Sequence, residues 1–153
     1  VVASWWDFGD WIEAYANKTT LADGATIRTY HIGKIGRIFM LNYTESMEII
    51  ESLDVTHVLM YATLNPNNPE EEWPYGLNVK WSWMVQIGGL NMSDYINPET
   101  YSNKIGQTEV GRQSVFYKLM MNDPDPPFIP VFVSDFGFIR VFEVDYDYDV
   151  GQT

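Results

Sequence analysis

The sequence predicts a mixed α and β domain of the α+β class, helix-rich at its centre and closing on a C-terminal β hairpin. Three observations lead there. Apolar residues recur at helical spacing before residue 55, one short apolar strand follows at 57–63, and two strand-like runs finish the chain around Asp135-Phe136-Gly137.

Taken in order, residues 7–18 place Phe8, Trp11, Ile12 and Tyr15 at i, i+3, i+4 and i+7 of a helix. Leu21-Ala22-Asp23-Gly24-Ala25 is a turn. A second helix runs from about Thr29 to Leu41 and buries Ile32, Ile35, Ile38 and Phe39. Gly33 and Gly36 weaken that helix by about 1 kcal/mol each against Ala, and suit it to close packing of another segment. A third helix starts at Thr44, with its cap in Thr44-Glu45-Ser46-Met47 and a stripe of Met47, Ile50 and Leu53. His57 to Thr63 is the clearest strand, and Leu64 to Pro74 reads as a Pro/Asn/Glu loop. Lys80 to Leu90 is helical, with Trp81, Met84, Val85 and Ile87 on its apolar side. Asn97-Pro98-Glu99 has the form of an N-cap followed by proline in the first helical position. A helix near Ser114 to Met121 precedes the breaker Asp123 to Pro127, and Ile129–Ser134 and Phe138–Tyr146 form the closing strands.

The chain has 153 residues, enough for one domain, and its 46% hydrophobic and 16% aromatic content supports a packed core. No run reaches the roughly 20 apolar residues of a membrane span; Ile32 to Leu41 is broken by Lys34 and Arg37. The abrupt opening on Val1-Val2-Ala3-Ser4 suggests a piece of a longer protein, one domain over 1–153. With no cysteine, disulfides and thiolate metal sites are excluded. A formal charge of −12 argues against nucleic acid, which requires clustered Lys and Arg to displace phosphate counterions. The acid gathers in Glu70-Glu71-Glu72 and in Glu143, Asp145, Asp147 and Asp149, which read as solvated surface. His31 and His57 lack metal-ligand spacing with a nearby carboxylate, and His31 reads as a packed helix residue. No nucleophilic triad, P-loop or dinucleotide-binding glycine pattern occurs.

The segment Ser4-Trp5-Trp6-Asp7-Phe8-Gly9 stands out. Adjacent Trp residues on one helical turn cannot both face the same core. Two indole N–H donors beside a carboxylate acceptor can surround a small hydroxyl while aromatic walls exclude water. Trp5-Trp6-Asp7-Phe8-Gly9 resembles the WWDYG motif of the oligosaccharyltransferase catalytic subunit, AglB in archaea and PglB in bacteria, with Phe8 in place of Tyr. Trp11-Ile12-Glu13, Asn17 to Thr26, Tyr30-His31-Ile32 and Ser114 to Met120 extend the likeness to archaeal members in order.

That resemblance implies that Trp5, Trp6 and Asp7 bind the Ser/Thr hydroxyl two residues after the acceptor Asn in Asn-X-Ser/Thr. It also implies a second element, the DK motif Asp-x-x-Lys-x-x-x-Met/Ile. Its nearest match is Leu77-Asn78-Val79-Lys80-Trp81-Ser82-Trp83-Met84, which keeps Lys80 and Met84 at i, i+4 and has Leu77 at the Asp position. Lys80 then flanks the pocket and Met84 touches the Thr methyl. The plain reading makes Met84 core and Lys80 a surface charge.

The family's reaction moves a lipid-linked oligosaccharide to an Asn amide nitrogen. In the family the activating carboxylates and a Mn²⁺ or Mg²⁺ ion sit on the transmembrane half, so no catalytic or metal residue is expected in this chain. The partners implied are the acceptor polypeptide, the protein's own transmembrane domain and, through it, the lipid-linked donor. The expected place is the extracytoplasmic face of the cell membrane. Two other readings stand beside this one: a carbohydrate-binding module using its six Trp and ten Tyr, and a purely structural ectodomain. Asn17-Lys18-Thr19, Asn42-Tyr43-Thr44 and Asn91-Met92-Ser93 are themselves sequons.

Overall fold

The computed structural model describes residues 2–4, 29–65, 68–76, 80–99, 105–121, 123–134 and 139–147. The elements are β1 (Val2–Ala3), α1 (Thr29–Met40), α2 (Tyr43–Ser52), β2 (His57–Asn65), β3 (Asn68–Gly76), α3 (Trp81–Ile87), a 3-10 turn (Met92–Asp94), α4 (Glu109–Gln113), α5 (Val115–Met120), β4 (Phe128–Val133) and β5 (Ile139–Val144). The α+β class holds. The sheet runs β1-β2-β5-β4, with β1 parallel to β2 and the other neighbours antiparallel. β3 pairs antiparallel with the far end of β2.

The closing hairpin is present as β4 and β5, with Pro130 opposite Phe142 on the outer strand of that order. A proline there removes a donor where few ladder bonds are lost. Its expected turn at Asp135-Phe136-Gly137 lies outside the described residues, as do the helix over 7–18 and the turn over 21–25.

α1 buries Ile32, Ile35, Ile38 and Phe39 as its spacing requires, and Met40 with them. Phe39 meets Phe116 of α5 edge-on, ring centroids 6.2 Å apart, and Val115 N donates to Leu41 O. α2 begins at Tyr43 and is capped by Asn42, whose Oδ1 accepts from Glu45 N at 2.9 Å. The cap is therefore two residues earlier than Thr44, because Asn42 holds extended dihedrals and Thr44 already lies in the helix.

Leu64 to Pro74 departs from the loop expected. The end of β2 and most of β3 occupy it, in an antiparallel ladder with irregular register between Ala62 and Asn65. Pairing to a distant strand, invisible to local composition, outweighs the low strand preference of Pro, Asn and Glu. The chain also has a short helix not expected from its pattern, α4, with Thr108 Oγ1 accepting from Gly111 N. At Asn97 the side chain accepts from Glu99 N, the bond expected of a cap, with a turn over 98–99.

Arg140 is the buried cation of β5, only 3% exposed, and its guanidinium donates to Met120 O at the C-terminal end of α5. A helix C-terminus is the favourable place for such a charge. Burial holds its pKa below the usual arginine value. None of the described helices is long and apolar enough to cross a membrane.

Candidate functional site

The two segments singled out for acceptor recognition enter the described fold at different points. Trp5, Trp6 and Asp7 lie outside the described residues. Their entry point is described: Val2 and Ala3 pair in parallel with His57 and Val58, and Ser4 is 1% exposed. Trp5 thus follows in sequence directly on a buried anchor at the end of β1.

The second segment is built on α3. Its apolar face is Trp81, Met84 and Val85, all buried, while Trp83 and Ile87 are exposed. The expected apolar side therefore loses Ile87, whose side chain is exposed while its backbone carbonyl packs against Gly33 of α1. Lys80 precedes the helix in an α-like conformation; its carbonyl accepts from Trp83 N and Met84 N. Its side chain is half-buried. Leu77, Asn78 and Val79, the first half of the motif match, lie outside the described residues.

Met84 is fully buried, and it shares one apolar cluster with Ala3, two residues before Trp5. Its side chain touches protein on all sides in this arrangement, so contact with a ligand methyl would require α3 or a neighbour to shift.

What sets α3 in place is the glycine spacing of α1. A Cβ at Gly36 would meet Met84 O at 2.6 Å, and one at Gly33 would meet Ile87 O at 3.2 Å. Both glycines face α3, and the bare helix surface lets the two backbones approach. Gly88 completes the contact, since a Cβ there would come within 3.2 Å of Arg37 Cγ and 3.3 Å of Arg37 N on α1. Arg37, absent from the residues singled out by sequence, donates from its guanidinium to Gly88 O at 3.2 Å, just past the C-terminus of α3. A basic residue in the last turn of α1 was the available signal, but its partner is 51 positions away.

Around this pair the polar groups are satisfied. Tyr95 donates to Met40 O at 2.7 Å, and burial, with Asp94 and Glu45 nearby, pushes its hydroxyl up to about 12. Thr108 Oγ1 donates to Asp94 O and so joins α4 to the 3-10 turn. His57 Nδ1 lies 2.9 Å from Thr56 Oγ1. Among the described residues no group of three or more His, Asp or Glu could hold a metal ion. Glu143 and Asp147 are exposed, in keeping with solvated surface; Asp145 is half-buried with its Oδ1 accepting from Asp147 N, and Asp149 lies outside the described residues.

No protein-family model matches the chain. Among solved structures, it is similar to the C-terminal globular domain of an oligosaccharyltransferase from Archaeoglobus fulgidus, with a TM-score of 0.65 and 25% identity over 95% of this chain and 80% of that one. A second structure of such a domain from the same organism, at 20% identity and a TM-score of 0.57, shares the fold. Among curated proteins, it is 31% identical over 124 residues to the Dictyostelium discoideum dolichyl-diphosphooligosaccharide–protein glycosyltransferase subunit STT3. It is 32% identical over 123 residues to the rice subunit STT3A. The matches cover 77% of this chain but only 16% and 15% of those proteins, so the chain spans about a sixth of their length.

Proposed function

The chain belongs to the oligosaccharyltransferase catalytic-subunit family, as its C-terminal globular domain, and from that premise we propose that it selects the acceptor in protein N-glycosylation. The carrying observation is the Trp5-Trp6-Asp7 segment, one residue beyond the buried anchor Ser4. In this reading the two indole N–H groups and the Asp7 carboxylate bind the Ser/Thr hydroxyl two residues after the acceptor Asn. Lys80 flanks the pocket, and Met84 reaches the Thr methyl through a shift of α3 or a neighbour that uncovers it.

The chemistry favours a hydroxyl as the feature to read. A pocket with buried donors and an acceptor is left unpaired when the hydroxyl is missing, which discriminates by about 10⁴. A pocket that reads only a methyl discriminates by roughly 10–200.

The reaction needs more than this domain. The Asn amide nitrogen is a poor nucleophile because its lone pair is delocalised into the carbonyl. We assign its activation to carboxylates, and the stabilisation of the phosphate leaving group to Mn²⁺ or Mg²⁺, both in parts of the longer protein outside this chain. The partners in this reading are the acceptor polypeptide, the protein's own transmembrane region and a lipid-linked oligosaccharide. The domain works on the extracytoplasmic face of the membrane.

The experiment is to replace Trp5, Trp6 or Asp7 in the full-length protein and measure glycopeptide formation. Loss of transfer by variants that fold is expected; normal transfer by all three would leave the domain a structural or sugar-binding one. The isolated domain, given donor lipid, sequon peptide and Mn²⁺ or Mg²⁺, makes no glycopeptide.

A further inference from the structure

Two of the chain's own sequons, Asn42-Tyr43-Thr44 and Asn91-Met92-Ser93, stand at exposed positions and share a local geometry. Asn42 caps α2 through Oδ1, which accepts from Glu45 N at 2.9 Å. Asn91 caps the 3-10 turn in the same way, with Oδ1 accepting from Ser93 N at 3.1 Å and from Ser93 Oγ at 2.8 Å. In both residues only the oxygen is engaged. Neither Nδ2 has a hydrogen-bond partner among the described residues.

This division of labour within one carboxamide matters for modification. A sugar added at Nδ2 leaves Oδ1 a carbonyl acceptor, so the cap survives. The two sites also flank a single tertiary hydrogen bond. Tyr95, four residues after Asn91, donates to Met40 O, two residues before Asn42. Gly89 nearby, at φ 70°, has open space where a Cβ would be. The corner has room.

We propose that Asn42 and Asn91 are N-glycan attachment sites on the protein's own surface, and that the corner they share faces bulk solvent in the assembled protein. Nδ2 forms a bond to the anomeric carbon of a lipid-linked oligosaccharide. The anomeric C–O bond breaks, the lipid phosphate or diphosphate oxygen keeps the electron pair, and one Nδ2 proton passes to water. The inference rests on the extracytoplasmic placement proposed above. Asn97 is a negative comparison: its Oδ1 accepts from Glu99 N in the same way, but Pro98 follows it and position 99 carries no hydroxyl.

The test is peptide mass spectrometry on the protein purified from membranes of the cells that make it. One oligosaccharide increment is expected at Asn42 and at Asn91, and none at Asn97. Thr44→Ala and Ser93→Ala each erase their own increment while leaving the capping Asn in place. Asn42→Asp keeps a capping oxygen and also loses the sugar. Bare Asn42 and Asn91 overturn the proposal. A separate secreted reporter sequon keeps the two readings apart. A glycosylated reporter beside bare Asn42 and Asn91 sinks this inference alone. A reporter still glycosylated after Trp6 and Asp7 are replaced sinks the acceptor-selection reading, and the two sites are then judged by their own peptides.

Discussion

Gly36 lies directly beneath the carbonyl of Met84: a Cβ at position 36 would be 2.6 Å from that oxygen, a separation real Cβ atoms do not adopt. α1 and α3 therefore touch backbone to backbone at this point. Gly36→Ala should destabilise the domain by about 1–3 kcal/mol through overpacking, outweighing the roughly 1 kcal/mol that Ala gains over Gly in a helix. Gly33→Ala, at 3.2 Å from Ile87 O, should fall close to neutral. Urea unfolding of the two variants measures the difference.

Lys80 and Met84 separate by the same assay. Met84 is fully buried, so Met84→Ala should cost about 2–5 kcal/mol from lost burial and the cavity left behind. Lys80 is half-buried and its side chain caps nothing, so Lys80→Ala should change stability by about 0.5 kcal/mol or less. In the full-length enzyme, a Lys80→Ala variant of normal stability with weakened acceptor use marks a pocket role. Unchanged acceptor kinetics mark a surface charge.

Thr108 makes two bonds with one hydroxyl, donating to Asp94 O at 2.7 Å and accepting from Gly111 N at 3.1 Å. Thr108→Ala removes the cap of α4 and its link to the 3-10 turn, at a cost of about 1–2 kcal/mol. Thr108→Ser keeps both bonds and should stay within about 0.5 kcal/mol of the parent in thermal unfolding.

Alkali should unfold the domain in a defined window. The Tyr95 hydroxyl is held at about 12 in the folded chain, against 10.0 for an unperturbed tyrosine, chiefly by burial. Between those values the unfolded chain gives up a proton that the folded chain keeps, so stability present below pH 10.0 falls as pH rises towards 12. Tyr146, also raised by burial, acts with the same sign. Tyr95→Phe should flatten this fall while costing about 1 kcal/mol at neutral pH for the lost bond to Met40 O. Unfolding midpoints measured from neutral pH up through that window decide it.

What was legible in the sequence follows the range of the interactions involved. Ile32, Ile35, Ile38 and Phe39 announce α1 because their spacing is a property of the helix alone. The pairing of Val2 and Ala3 with His57 and Val58 spans more than fifty residues, and two residues carry no period. β3 was hidden for a related reason: Pro69 and Pro74 suggest a loop, and only its ladder to β2 makes it a strand. Of the site, the Lys80–Met84 helix was readable, whereas its seat on Gly33 and Gly36 and the Arg37 bond to Gly88 O are tertiary. Trp5-Trp6-Asp7 offers two donors and an acceptor in the sequence, and its placement lies outside the described residues.

The most direct test compares kcat/KM for an Asn-X-Thr peptide with that for the same peptide carrying Val in place of Thr. Full-length enzyme and its Asp7→Asn and Trp6→Phe variants are measured side by side. The expectation is a preference of about 10⁴ in the parent that falls towards parity in the variants, because Thr and Val share their shape and only the hydroxyl separates them. Variants that fold, transfer sugar and keep the parental preference would contradict it.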